Sequence, residues 1–255
     1  MRYKNHIAQV KPALFLLLAA TVGTRAQITV AVAANVQYAM EELRAEFGKR
    51  DGAEVKTVFG ASGSLATQIR NGAPFDVFVS ADMDFPDSLH KWGFAREKPR
   101  LYAYGKIVLW TLRDLDPGRG LGLLLDASVT HIALADPDRA PYGRQAVNAL
   151  RQAGLYQRVL PKLVYAENVS QAARYVLTGN ADVGFIPKSL ALAKEMRGQG
   201  HWAELDSAAY GKIPQGALVC RYGEENHIDL SRRFLDFLHS SAARTILTKY
   251  GYALP

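Results

Sequence analysis

The chain has 255 residues, 49% of them hydrophobic and 22% charged, with a formal net charge of +7. That length allows one or two domains with a sizeable core, and the composition excludes a disordered chain. The single cysteine, Cys220, excludes an intramolecular disulfide and a cysteine-based zinc site.

In chain order, Arg2, Lys4 and Lys11 precede the apolar run ALFLLLAATV at residues 13–22, and small residues follow up to Ala26. The run is too short for a settled membrane helix. The order basic, apolar, small reads as a secretory signal peptide over residues 1–26. An uncleaved anchor is the alternative; no Cys directly follows the run, which argues against a lipoprotein anchor. Residues 1–26 carry four basic side chains and no acidic one, so without them the net charge falls from +7 to +3. The remaining basic residues are scattered without interleaved aromatics, and nucleic acid is not an expected partner. Export with one cysteine fits a bacterial periplasm better than a disulfide-stapled secreted scaffold.

Beyond residue 26, short apolar runs alternate with helical spacing, the pattern of an α/β protein with parallel strands. Residues 27–33 (QITVAVA) read as a strand, and 37–49 as a helix from the spacing of Met40, Leu43 and Phe47. A strand is expected over 54–59, a helix over 65–71 and a strand over 76–80. Further strands are expected over 107–112, 132–134, 183–186 and 217–221, and helices over 144–153, 170–178, 230–238 and 242–249. The chain is expected to leave one lobe near 106–110 and return near 213–219. That gives a discontinuous first lobe (27–108 and 218–255) and a second lobe (109–217), with the C-terminal helices packed back onto the first.

Four strand-to-helix junctions share one character. FGASGS at 59–64 places small residues before a helix start, where backbone N–H groups can approach an anion and the helix dipole favours it. Simple N-capping by Ser62 or Ser64 is the competing explanation. At AANV (33–36), Asn35 is expected to cap the next helix, and its amide can also donate to a ligand. At ADPDRAPYG (135–143), Pro141 suits a helix opening and the Tyr142 hydroxyl can donate; packing alone would also explain the tyrosine. At AENVS (166–170), Val169 offers only its backbone N–H, its side chain being expected to pack. If two such lobes face each other, all four junctions converge on one cleft outside the carboxyl ends of the strands.

Most enzyme readings fail on spacing. Ser62 lacks the Gly-x-Ser-x-Gly of a nucleophile elbow, and no Gly-Lys-Ser/Thr forms a P-loop. The six histidines are dispersed without metal-ligand spacing, and Asp82, Asp84 and Asp87 lack the Gly and distal Glu of an EF-hand.

AVAANVQYAM (31–40), FGASGSLATQI (59–69), NGAPFDVFVSAD (71–82), ADPDRAPYG (135–143), AENVSQA (166–172) and ADVGFIPKS (181–189) resemble the periplasmic molybdate-binding proteins of ABC transporters. The motifs run in family order over nearly all of the chain after the signal, and NGAPFDVFVSAD is the most specific. The resemblance implies a periplasmic binding protein of type II architecture, two Rossmann-like lobes joined by a hinge. It closes on a tetrahedral oxyanion, molybdate or tungstate, with no cofactor. Carried over by position, the ligand contacts fall on Asn35, Ser62, Tyr142 and Val169, with backbone N–H groups from Ala34 and Ala61. The implied partner is the membrane permease; a monomer and no catalytic activity are expected.

Two departures stand out. Many members have Ser at the place of Asn35, and the branch with Asn often has Thr beside it, where this chain has Ala34. Many also have Tyr where this chain has Pro187, which has neither a hydroxyl nor an N–H to donate. Tyr142, at a position small in other members, is expected to supply that hydroxyl from across the cleft. A cradle of donors alone should refuse protonated phosphate, unless Asp136 or Asp138 points inward, and should fit sulfate poorly by size. The alternatives are a binding protein for another anion such as sulfate or thiosulfate, an α/β hydrolase using Ser62, and the effector-binding domain of a regulator.

Overall fold

The computed structural model describes residues 26–255. The signal-peptide expectation, Ala26 excepted, lies outside the described residues. No helix among them is long and apolar enough to cross a membrane.

Among the described residues, ten strands form two five-stranded sheets. The first contains β1 (Gln27–Ala33), β2 (Glu54–Gly60), β3 (Val77–Val79), β4 (Arg100–Gly105) and β10 (Ile213–Val219), in the order β2-β1-β3-β10-β4. The second contains β5 (Ile107–Thr111), β6 (Ile132–Ala135), β7 (Leu163–Ala166), β8 (Val183–Pro187) and β9 (His201–Glu204), in the order β7-β6-β8-β5-β9. Central strands are apolar on both faces: β5, β6 and β8 are buried at every position, because helices cover both sides of the sheet. Each sheet with its helices is a lobe.

The sheets are mixed, which corrects the expectation of parallel strands. β1 pairs in parallel with β2 and β3, and β6 with β7 and β8. β10 runs antiparallel to β3 and β4, and β5 antiparallel to β8 and β9. In both cases the reversed strand is the first one after the chain changes lobes. The expected boundaries after residues 108 and 217 would cut β5 and β10, each of which belongs whole to one sheet. By sheet membership the crossings are Lys106 and the segment between β9 and β10. They lie side by side: Leu205 N–H donates to Ile107 O at 3.0 Å, and Ile107 N–H to Tyr210 Oη at 3.2 Å.

The C-terminal helices Ile228–Phe237 and Ser241–Lys249 pack on the first lobe. Phe47, on the helix Gln37–Asp51, meets Phe234 edge-on at 5.2 Å between ring centroids and Phe237 at 5.4 Å. Lys249 Nζ and Tyr250 Oη both reach the Glu42 carboxylate, at 2.6 and 2.7 Å. The chain end then adds to the edge of β4 through the pair Tyr104–Ala253, which sets Tyr252 in the interior.

Phe47 is fully buried where the helix Gln37–Asp51 meets Ile228–Phe237. Phe47→Ala is expected to lower stability by about 3–5 kcal/mol, read as a shift in urea midpoint; a loss under about 1 kcal/mol would mean the C-terminal helices do not depend on this contact.

Candidate functional site

In each sheet the chain goes from its first parallel strand to a neighbour on one side, then crosses to the other side. β1 and β6 therefore mark the switch points, and the cleft between lobes opens at their carboxyl ends. The four junctions meet there. One cavity is lined by Ala34 and Asn35 after β1, Ala61 and Ser62 after β2, Tyr142 after β6 and Val169 after β7. All six residues expected from the sequence are brought together, each of them buried. Ala81, Ala140 and Asn168 complete the wall together with Ala33, Gly60 and Pro141, and none of the residues lining the cavity is charged.

The helix starts explain how donors are left over. The helices Ser62–Arg70, Pro141–Gln152 and Val169–Leu177 begin earlier than expected, so Ser62 and Val169 are first residues and Pro141 occupies the opening position that lacks an N–H. A first-turn N–H has no acceptor within its helix. The N–H groups of Asn35, Ser62 and Val169 have no acceptor among the described residues. At the Val169 helix the cap is Asn168, whose Oδ1 accepts from the N–H groups of Ser170 and Gln171 at 3.0 Å each.

Ser62 does not cap its helix. The position before the helix is Ala61, without a side-chain cap, and Ser62 Oγ instead accepts the Ala81 N–H at 3.0 Å. With that acceptor role taken, the Ser62 hydroxyl proton is free for the cavity. Tyr142 repeats the arrangement: its Oη accepts from Gln215 Nε2 at 2.9 Å, the Asn35 amide also lies beside it, and its own proton has no hydrogen-bond acceptor among the described residues. Burial pushes the Tyr142 phenol well above its ordinary range, so it stays a donor.

Asn35 departs from expectation in two ways. It caps no helix, and its amide hydrogens go to Gln215 Oε1 at 2.9 Å and Tyr252 Oη at 3.0 Å. Its Oδ1 is buried without a partner among the described residues, while its main-chain oxygen accepts from Ser189 Oγ at 2.7 Å and Tyr252 Oη at 2.8 Å. Gln215, Tyr102 and Tyr252 were missed. The signal for Gln215 was present, a single amide inside the otherwise apolar strand IPQGALV, where it is fully buried. Pro187 ends β8 opposite Ile107 and does not line the cavity. Asp136 accepts from the Asp138 N–H and lies near Arg139; neither aspartate faces the cavity. Among the described residues no histidine lines it, and none stands beside Ser62 as a base.

Charge stands outside the cavity and bridges the lobes. Arg144 pairs with Asp84 at 2.8 Å and Asp82 at 3.3 Å, and lies over the Phe85 ring at 5.6 Å. Beside it the Gly63 N–H donates to Arg139 O at 2.9 Å. A Cβ on residue 63 would come 2.8 Å from Phe85 Cζ and 3.0 Å from Arg139 O, so this approach of the lobes needs glycine. Ser170 Oγ donates to Gln37 Oε1 at 2.8 Å, a further bond across the cleft.

The family model of the bacterial extracellular solute-binding proteins matches residues 28–253. The chain belongs to that family. It is 38% identical over 229 residues to the molybdate-binding protein ModA of Rhodobacter capsulatus, covering 89% of this chain and 88% of that one. It is 34% identical to the ModA of Azotobacter vinelandii, covering 93% and 94%. The solved structure of the Azotobacter vinelandii periplasmic molybdate-binding protein superposes with a TM-score of 0.84 at 31% identity, over 89% of this chain and 99% of that one. The two-lobed architecture expected from the sequence is therefore that of a solute-binding protein. Among the described residues no cluster of His, Cys, Asp and Glu could hold a bare metal ion.

Burial raises the Asp82 carboxyl to about 6, partly offset by the Phe85 N–H, Arg144 and Ser80, with Asp84 opposing them. A folded value above the unfolded one means the native chain takes up a proton that the unfolded chain still lacks. The Asp82 contribution to stability therefore grows as pH falls through 6 toward 4. Relative to Asp82→Asn, the wild type is expected to gain on the order of 1–1.5 kcal/mol between about pH 7.5 and about pH 5. Urea unfolding at both pH values measures this; a flat difference would contradict it.

Proposed function

We propose that this protein binds molybdate, and tungstate with it, in the cleft between its lobes, and presents the closed form to an ABC-transporter permease in the periplasm. The relatives named for molybdate cover almost the whole chain. The observation that carries the reading is the cavity itself. Donors from both lobes face one space with no charged side chain on its wall. A tetrahedral dianion offers an acceptor at every corner, and hydroxyl and amide donors at helix starts can replace its water shell. The metal enters as cargo inside the oxyanion, with no cofactor. The protein acts as a monomer and a carrier, not as an enzyme.

In this reading the contacts are the Ser62 and Tyr142 hydroxyls and the N–H groups of Asn35, Ser62 and Val169, with Ala34 and Ala61 beside them. Tyr142 contributes the hydroxyl that Pro187 cannot. Phosphate near neutral pH carries a proton that needs an acceptor, and the Ser62 and Tyr142 oxygens each already accept one hydrogen bond from the protein. Sulfate has the right charge but is smaller, which stretches some of the bonds. Closing the lobes reports occupancy because the donors of both halves are satisfied together only around the anion.

Calorimetry with molybdate, tungstate, sulfate and phosphate tests the reading. Molybdate and tungstate are expected to bind at micromolar concentration or tighter, about 8 kcal/mol or more, and phosphate not to bind. Ser62→Ala is expected to weaken molybdate by roughly 10- to 100-fold, the value of one hydrogen bond to a charged group. Sulfate binding as tightly as molybdate would overturn the assignment of substrate.

A further inference from the structure

The Tyr142 hydroxyl is held from the opposite lobe. Gln215 lies on β10 of the first lobe, does not line the cavity, and donates from Nε2 to Tyr142 Oη. Its amide is held by donors on its other side. Gln215 Oε1 accepts from Tyr102 Oη at 2.8 Å and from Asn35 Nδ2 at 2.9 Å. Tyr102 has one proton and also lies 3.0 Å from Ser80 O, so it is the Asn35 amide donating to Oε1 that leaves the Gln215 NH₂ pointing at Tyr142.

Local backbone geometry serves this arrangement. The β10–β4 ladder shifts register between Gln215 and Gly216, pairing Gln215 with Ala103 and Gly216 with Leu101, so Tyr102 is the extra residue. Such irregularities re-aim side chains next to binding sites. Across the contact stands Gly105, where an added Cβ would overlap both Tyr142 Oη and Gln215 Nε2. The strand end leaves room for this one hydrogen bond.

We infer that Gln215 is the positioning residue that fixes the polarity of the cradle: its Nε2 occupies the acceptor side of Tyr142 Oη and so turns the tyrosine proton toward the ligand. This selects oxyanions that carry no proton. An oxygen in place of Nε2 would take the Tyr142 proton and turn a lone pair into the cavity, where it opposes molybdate and offers hydrogen phosphate an acceptor. Because the pair joins the two lobes, the polarity is set only when the cleft closes.

The inference rests on the oxyanion reading above, and wild-type molybdate binding is the control that separates them: no binding there overturns that reading, not this one alone. The test is a double-mutant cycle of Gln215→Glu and Tyr142→Phe, read by calorimetry with molybdate and phosphate. Gln215→Glu changes the NH₂ to an oxygen and keeps the acceptor for Asn35 and Tyr102. Tyr142→Phe alone is expected to weaken molybdate at least about 10-fold. Gln215→Glu is expected to weaken it at least about 30-fold with Tyr142 present, and by under about 5-fold more once Tyr142→Phe is in place. The molybdate-to-phosphate ratio of the single Gln215→Glu variant should narrow by about 10-fold or more.

Plain charge repulsion, or a purely structural role, would weaken both backgrounds by the same factor. That result overturns the proposal. So does a Tyr142→Phe chain that binds molybdate like the wild type, because the tyrosine proton would then point at Gln215. If Gln215→Glu does not fold, Gln215→Met runs the same cycle: a loss confined to the chain with Tyr142 supports the proposal, and equal losses overturn it.

Discussion

The structure depends on one constraint: a buried backbone N–H needs an acceptor, and helix starts cannot supply one from within. Ser62, Asn35 and Val169 each stand at such a start, each is buried, and each comes from a different strand end. Small neighbours let these main-chain groups converge without side chains in the way. A cavity built like this is incomplete as protein alone, because its wall is rich in donors and carries no formal charge. An anion with several acceptor oxygens resolves that imbalance, and it does so only when both lobes contribute. Binding and closure therefore become one event rather than two.

The two lobes reach this by repeating one plan. Each has its donor junctions after two adjacent parallel strands, β1 and β2 in one sheet and β6 and β7 in the other. Each receives the chain from the other lobe as a reversed strand, β10 or β5. The crossings run beside each other at Lys106 and around Tyr210, where Lys106 Nζ pairs with Glu204 at 2.9 Å. Two adjacent short connections permit the lobes to turn about a common line while each sheet stays intact. The hydrogen bond from Gln215 to Tyr142 and the pairing of Arg144 with Asp82 and Asp84 lie away from that line, where closure brings partners together.

The central strands and the four junctions were legible in the sequence for a physical reason. A strand covered on both faces must be continuously apolar, and a helix start near a ligand must be small or neutral. The strands without a signal were β4, β7 and β9, all of them sheet edges. HWAE of β9 is almost wholly exposed, and LVYA of β7 is buried only at Ala166, so neither shows a buried-strand pattern. The polar network behind the cavity was hidden differently. Tyr102, Gln215 and Tyr252 are brought together by β4, β10 and the chain end, and no spacing along the sequence links them. Asn35 lies at the cavity wall, but its amide serves Gln215 and Tyr252, because a buried amide takes whichever acceptors the fold brings to it.

Separating charge from contact gives the cleft its working character. Arg144 stands close to the junctions, yet its guanidinium is engaged by Asp82 and Asp84 and stacked on Phe85, outside the wall. A cationic side chain in the cavity would attract any dianion and hold it without regard to protonation. Neutral donors discriminate better, because each needs an acceptor at its own place, and a proton on the ligand removes one. The ion pair meanwhile acts on the lobes rather than on the anion. Its buried member, Asp82, has a raised pKa, so the strength of that bridge changes near pH 6 while the cradle donors, all with high or no ionisation, stay the same. The Asp82–Arg144 bridge can therefore change with pH without changing the cavity wall, which neither residue lines.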